Sequence, residues 1–290
     1  MKICLSKFDV YFDNNEQEPN TDLNGIQIST IIPTLNEASH IEALIRRLRD
    51  GAGTMGIEII VADAGSTDAT AALSEKCGAK VLHCGVASRP AQMNLAAKVA
   101  TGEILYFVHA DALPPKDYAA QILRAVMQGA KLGSFRFRFD SDKASLRFNA
   151  WCTRIPVMMC RGGDQTLFIT RTLFEQLNGF DESHVVMEDY DIIRRGRHFG
   201  KFKILSDDVL VSARKYKDNT YVRVNLANFV VFALYYFGVK PEKLKRMYQH
   251  MIHHEKFKDA GLCAENESGN AKHHEHIEPV EDNPVRTANR

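Results

Sequence analysis

Three short acidic clusters carry the chemistry this 290-residue sequence offers. In Val61-Ala62-Asp63-Ala64-Gly65-Ser66-Thr67-Asp68 the first aspartate closes an apolar run. A carboxylate offers acceptors only, so Asp63 suits the N–H of a nucleobase or a ribose hydroxyl, ahead of a hydrogen bond within its own loop. Asp68 stands where an acidic side chain caps a following helix. His109-Ala110-Asp111 follows the apolar run Ile104–Val108 and precedes Pro114-Pro115. A magnesium or manganese ion binds through one or two carboxylates and fills its shell with phosphates and water, so Asp111 alone is enough. A turn starting at that aspartate is the plainer alternative. Glu188-Asp189 offers a general base, because a hydroxyl attacks well only when a base takes its proton as the bond forms. Acidic residues are also favoured in a first helical turn, the reading adopted for Asp191. Arg89, ahead of a helix N-terminus, could meet a diphosphate. Gly162-Gly163-Asp164 could let backbone approach a ligand closely, or make only a tight turn.

The elements around these residues place them together. Ile28–Ile32 reads as a strand stopped by Pro33, with Asn36 or Ser39 capping a helix whose apolar face is Ile41, Leu44, Ile45 and Leu48. A strand at Ile57–Ala62, a helix at Ala69–Cys77 and a strand at Lys80–His83 follow. A helix at Pro90–Ala100, with proline in its first turn and Gly102 past its end, leads to the strand Ile104–Val108. Strands alternating with helices imply right-handed crossovers and a mostly parallel sheet. Ligands bind such sheets outside the carboxyl ends of the strands. The clusters 33–37, 63–68 and 109–111 fall at those ends.

The second half is less regular. Phe135-Arg136-Phe137-Arg138-Phe139 alternates with period two, as a half-buried antiparallel strand does. Gln165–Thr170 and Lys201–Leu205 read as further strands, and Met187 opens a basic helix carrying Arg194, Arg195 and Arg197. The chain turns helical after Tyr216. Leu226–Phe237 is its most apolar stretch, too short for a bilayer span of about 20 residues. Packing on the core is favoured, with an interfacial helix as the alternative, given Arg223, Lys240, Lys243 and Lys245 at its flanks. From about Lys256 the composition is that of a disordered tail, where His253-His254 and His273-His274 read as solvated rather than metal-binding. The expected divisions are a flexible leader over 1–25, a main domain over 26–216, a helical extension over 217–255 packed on it, and a disordered tail over 256–290.

Composition excludes several classes. Hydrophobic residues at 45% and charged residues at 25% are globular values. Thirty-seven basic against thirty-six acidic residues argue against a nucleic-acid partner. Six cysteines, at 4, 77, 84, 152, 160 and 263, form no C-x-x-C pair and read as reduced thiols. With no signal-peptide pattern at Met1–Val10, a cytoplasmic placement is expected, with peripheral contact at the inner face of the membrane through 226–245 as the alternative to packing of that segment on the core.

Taken in order, six segments resemble glycosyltransferase family 2 over about Ile28 to Tyr216. They are Ser29–Glu37, Val61–Asp68, Arg89-Pro90-Ala91-Gln92-Met93-Asn94, Phe107–Asp111, Gly163-Asp164-Gln165 and Glu188-Asp189. The resemblance implies a GT-A fold, that is, a Rossmann-like, mostly parallel central sheet with a mixed second half and C-terminal helices. It implies an inverting hexosyltransferase that moves one sugar from a nucleotide sugar, UDP-linked by expectation, to the hydroxyl of a sugar or lipid-linked acceptor. By the same resemblance Pro33, Glu37, Asp63, Arg89 and Gly163 line the nucleotide-sugar pocket. Asp111 would hold Mn2+ or Mg2+, and Asp189, beside Glu188, would be the general base.

Two departures matter. The Asp-x-Asp metal motif reads His109-Ala110-Asp111, similar to a subgroup with His-Ala-Asp. The Gln-x-x-Arg-Trp motif of processive synthases is absent, since Asp189 leads into Ile192-Ile193-Arg194-Arg195-Gly196 and the one tryptophan is Trp151. Non-processive transfer is therefore expected. Ser212-Ala213-Arg214-Lys215-Tyr216 resembles the basic stretch of that subgroup, which assigns Arg214 to the diphosphate. The rivals are a catalytically degenerate nucleotide-binding relative and a sugar-1-phosphate nucleotidyltransferase. The second would need a glycine-rich loop where Pro33-Thr34-Leu35-Asn36-Glu37 stands.

Overall fold

Ile28 to Thr34 are buried along their whole length and form the first strand of the computed structural model, which describes residues 28–252 apart from 156, 162–164 and 217–218. The expected leader (1–25), Gly163, both paired histidines and the tail (256–290) lie outside the described residues. In the first half β1 (Ile28–Thr34), α1 (Ala38–Asp50), β2 (Ile57–Asp63), α2 (Thr70–Lys76), β3 (Lys80–His83), α3 (Arg89–Val99) and β4 (Ile104–Phe107) alternate. The second half runs β5 (Ala112–Leu113), α4 (Tyr118–Met127), β6 (Leu132–Phe139), α5 (Ala144–Cys152), β7 (Leu167–Thr170), α6 (Arg171–Gln176), α7 (Glu188–Gly196) and β8 (Phe202–Val211). Two helices close it, α8 (Tyr221–Tyr236) and α9 (Pro241–Met251). The eight strands make one sheet in the order β3-β2-β1-β4-β7-β6-β8-β5. The first four are parallel, and β7 and β5 run against their neighbours, so the fold is the expected mixed α/β sheet.

Both faces of the parallel half are covered, which is why its strands read as unbroken apolar runs. Ile28, Ile32, Ile59, Val61, Ile104 and Tyr106 pack on one face against Leu44, Leu48, Tyr118 and Ile122. Ile31, Ile60, Ala62, Leu105 and Phe107 pack on the other against Met93, Ala96, Phe174 and Ile192. Tyr106 anchors the first layer, stacked on Tyr118 at 5.3 Å with its hydroxyl donating to Thr166 at 3.1 Å. Where β6 passes between β7 and β8 no side chain fits, because a Cβ on Gly133 would lie 2.2 Å from the Lys203 carbonyl.

Several details differ from the sequence pattern. β1 continues through Pro33 to Thr34, still in register with β2. Ile31 accepts from Val108 N–H, so odd positions face β4, whose pairing ends there, and the missing N–H of Pro33 falls beyond it. Neither Asn36 nor Ser39 caps α1; Glu37 stands at that position, and its side chain makes no capping bond to the helix. β6 is parallel to β8 along its length and antiparallel to β7 only at Leu132 and Gly133. Its alternation reported which residues are buried, not the direction of the neighbour. β8 is twice the expected length because a bulge expels Ser206 and Asp207, letting Asp208 pair with Arg136 at 3.2 Å. Helices α4, α5 and α6 fall where the sequence pattern gives none. The four described cysteines, 77, 84, 152 and 160, are free thiols.

An acid-sensitive knot joins three elements at the far end of β1. Glu58 accepts from Ser29, from Thr101 Oγ1 at 2.8 Å and from Gly102 N–H at 3.3 Å. Burial pushes its carboxyl up, but these bonds outweigh burial and hold it below its ordinary value. A lowered native pKa contributes stability that is complete above the unfolded value and is lost as pH falls through the native one. Urea midpoints of the wild type should therefore fall more steeply below about pH 4 than those of Glu58→Gln. Parallel acid limbs would remove this knot from the account.

Candidate active site

The loops after β1 and β2 are laced together by reciprocal bonds. Asn36, left-handed at φ 54°, donates its N–H to Ser66 Oγ at 2.9 Å and accepts from Thr67 N–H at 2.9 Å. Asparagine tolerates that conformation better than most side chains. Glu37 N–H donates to Thr70 Oγ1 at 2.8 Å, and Ala38 N–H to Asp68 at 3.1 Å. Asp68 also accepts from Thr70 N–H at 3.0 Å, so one carboxylate serves the first residues of both α1 and α2. Burial raises its pKa, and the bonds from Thr70 and Ala38 bring it below the ordinary range. Gln92 closes the lattice from α3, donating to the carbonyls of Thr34 (3.0 Å) and Ala62 (2.7 Å). Gln92 was missed as a site-shaping residue; its signal was a polar side chain on the apolar face of Pro90, Met93, Ala96 and Ala97.

Asp63 ends β2 and is 1% exposed. Oδ2 accepts from Gly65 N–H (3.1 Å) and Ser66 N–H (2.8 Å); Oδ1 accepts from Thr34 Oγ1 (3.0 Å) and the Ser66 hydroxyl. A carboxylate has about four acceptor sites, and the loop supplies four donors. Any ligand N–H reaching Asp63 must displace one, and the two hydroxyls, of Thr34 and Ser66, are the donors free to rotate.

Glu37, Asp111 and Arg214 meet from three distant parts of the chain. Arg214, in the helical turn after β8, grips Glu37 with both arms at 2.8 and 2.7 Å. Its Nη2 lies 3.0 Å from Asp111 Oδ2. Burial pulls the guanidinium pKa down, but the two carboxylates outweigh burial and hold Arg214 charged. The backbone fixes the same joint, since Ser212 N–H donates to the Asp111 carbonyl at 3.1 Å. His40 Nδ1, 3.4 Å from Glu37, adds a second basic group that sequence reasoning passed over.

Helix α7 returns the Glu188-Asp189 pair to the same carboxyl edge. Arg89, the first residue of α3, reaches Glu188 at 3.0 Å, and both Glu188 and Asp189 are buried. Met187 starts the helix left-handed at φ 73°, which costs a non-glycine residue about 1 kcal/mol. Packing against Val231 and Leu244 of the last two helices holds it there. Asp191, three residues into α7, pairs with Arg194 (3.0 Å) and Arg195 (2.7 Å) of its own helix. Buried Arg161, also missed, donates to the Ile155 carbonyl at 2.7 Å, and burial pulls its pKa down to about 10.

A cavity of about 120 Å³ opens beside Asp111, lined by Ser39, His40, Asp140, Leu210 and Ser212. Ligand sites usually need about 300 Å³ or more, so this volume suits a phosphoryl-sized group rather than a whole nucleotide. A hard divalent ion with phosphate co-ligands fits Asp111, a partly open carboxylate at the mouth of a cavity lined by polar and apolar side chains alike. Among the described residues the one group of three metal-capable side chains is Asp181, His184 and Asp191. The two arginines on Asp191 make that group a poor cation site.

The sequence profile described as Glycosyl transferase family 2 matches residues 29–196, more than half of the chain. Over 46 residues the chain is 48% identical to the succinoglycan biosynthesis protein ExoA of Rhizobium meliloti (strain 1021), a stretch covering 16% of this chain and 14% of ExoA. The crystal structure of S. aureus TarS 1-349 in complex with UDP superposes with a TM-score of 0.54 at 17% identity, over 71% of this chain and 66% of that one. The mannosyltransferase PcManGT from Pyrobaculum calidifontis, in complex with GDP-Man and Mn2+, gives 0.52 at 21% identity, over 77% and 68%. These likenesses establish the GT-A fold.

Proposed function

Since the chain belongs to glycosyl transferase family 2, we propose that it transfers one sugar from a nucleoside-diphosphate sugar to an acceptor hydroxyl, inverting the anomeric carbon in a single displacement. The observation that carries this reading is the meeting of Glu37, Asp111 and Arg214 at the carboxyl edge of the parallel strands, beside a cavity of phosphoryl size. Asp63 takes the nucleobase N–H when the Thr34 or Ser66 hydroxyl turns aside, and Pro33 and Glu37 border the nucleoside. Arg214 and Arg89 supply positive charge to the diphosphate. Glu188 fixes Arg89, and Asp189 takes the proton of the attacking hydroxyl on a carboxylate oxygen. Gly163 lines the sugar side of the same cleft. A divalent ion on Asp111, Mn2+ or Mg2+, supplies further positive charge to the leaving diphosphate.

UDP is the expected nucleotide, and the acceptor is a sugar or a lipid-linked sugar. Transfer is non-processive: where processive synthases carry Gln-x-x-Arg-Trp, this chain has Arg194 and Arg195, which Asp191 holds. Assignment to the His-Ala-Asp subgroup belongs to the same proposal, as do a cytoplasmic setting and membrane contact through 226–245. Among the described residues no helix is long and apolar enough to cross a membrane.

Calorimetry with a panel of nucleoside diphosphates, with and without Mn2+, tests the donor half. One nucleotide should bind in a metal-dependent way to the wild type, and Asp111→Asn should lose the metal-dependent part. Metal-independent binding, equal in both proteins, would remove Asp111 from the role. No binding under any condition would favour the catalytically degenerate relative, and a preference for triphosphates the nucleotidyltransferase.

A further inference from the structure

Helix α8 carries apolar residues on every side, yet among the described residues only one side is covered. Val224, Ala227 and Val231 are buried, while Val222, Leu226 and Phe229 are more than half exposed and Phe237, at its end, is 85% exposed. At about 100° per residue, positions 222, 226, 229 and 237 lie within one narrow stripe opposite the buried one. Helix α5 lies beside α8 and carries exposed aromatic residues of its own. Asn149 donates to Asn225 at 3.2 Å and to Tyr216 at 3.4 Å, which fastens α5 alongside the first turns of α8. The chain neighbours of these two asparagines, Phe148 before Asn149 and Leu226 after Asn225, are exposed. Phe148 stacks on Trp151 at 6.2 Å, and both rings are more than half exposed.

We propose that the α5–α8 face seats the protein on an anionic bilayer surface. Apolar patches of this kind on soluble folds mark interaction sites. Charge selects the lipid among possible occupants, because neither helix contains an acidic residue, Arg147 and Arg223 lie on them, and Lys143, Arg154 and Lys240 at their ends outnumber the acidic neighbours Asp142 and Glu242. A basic rim around an apolar and aromatic face matches headgroups above acyl chains. The face is joined to the reaction site through Arg214–Tyr216, the turn that leads into α8. It thus rests on the proposed transferase reading only for its purpose, delivery of a lipid-linked acceptor, and not for its binding.

Trp151 is the one tryptophan of the chain, so its emission reports this face directly. Full-length protein is titrated with phosphatidylcholine vesicles with and without phosphatidylglycerol, and nucleoside diphosphate binding is measured separately without lipid. The expected result is a blue-shifted emission on anionic vesicles, quenched by brominated acyl chains. Leu226→Asp with Phe229→Asp should weaken vesicle binding about tenfold or more and leave nucleotide binding unchanged. Binding that is absent, equal on neutral vesicles or unaffected by the double variant would overturn the proposal. So would an emission shift that follows protein concentration without lipid, which would assign the face to a second copy. Loss of nucleotide binding alone would sink the transferase reading and leave the membrane face standing. Phe148→Ser, exposed on the neighbouring helix, gives an independent check with little risk to folding.

Discussion

Asp189→Asn should lower kcat about a thousandfold while leaving the KM for the donor nearly unchanged. Positioned general bases contribute about 10² to 10⁴ in rate, and a thousandfold loss is about 4 kcal/mol of barrier. Asparagine keeps the size and planarity of the side chain, so the first turn of α7 and the Arg89–Glu188 pair should persist. A loss confined to kcat marks an interaction made only in the transition state. Asp191→Asn is the paired control, because its carboxylate serves Arg194 and Arg195 and not the proposed cleft. That variant should lose stability and keep most of its rate. A fall of less than tenfold in Asp189→Asn would assign the proton to another group.

Arg214→Ala should produce the second large effect, and on two observables at once. Removing the guanidinium leaves Glu37, with its side chain 7% exposed, close to Asp111 with no cation between them. Breaking a fully buried pair costs about 3–5 kcal/mol, and Arg214 is 32% exposed, so a loss of about 2 kcal/mol is expected. Activity should fall at least a hundredfold if the same guanidinium meets the diphosphate, roughly the contribution of one preorganised donor. Mn2+ without nucleotide should bind the variant more tightly, because the metal no longer competes with a fixed arginine. Arg214→Lys cannot restore the two-armed contact and should recover little. Full kinetic competence in Arg214→Ala would end its assignment to the diphosphate.

The first half of the chain was legible because its apolar periods alternate cleanly between strand and helix, even though Pro33 does not stop β1 and neither Asn36 nor Ser39 caps α1. Strands buried on both faces read as plain apolar runs, and the helix face at Ile41, Leu44, Ile45 and Leu48 is buried as its spacing implies. The polar clusters at 33–37, 63–68 and 109–111 do converge on one edge. What the sequence could not carry was partnership across distance. Arg214 and Glu37 are 177 residues apart, and Arg89 and Glu188 are 99 apart, with no local spacing to announce either pair. Strand direction in the second half was hidden for the same reason, since the alternation at Phe135–Phe139 is identical for either neighbour. Met187 left no trace, because its left-handed backbone is imposed by helices that arrive forty residues later. Helix α4 did have a signal, the buried set Tyr118, Ala119, Ile122 and Ala125, which was not read.

The lacing of the loops after β1 and β2 has a consequence for motion. Backbone N–H groups of residues 36, 37, 38, 65, 66, 67 and 70 all donate across or within that lattice. Such amides open together or not at all, so the segments 36–38 and 65–70 behave as one cooperative exchange unit tied to the sheet. The opposite wall is held by the side chains of Arg214, with both arms on Glu37, and Arg89, with one nitrogen on Glu188, whose release needs no backbone opening. The cleft is therefore mechanically lopsided, a stiff anvil under the proposed nucleoside position facing a latch of guanidinium groups that can let go one at a time.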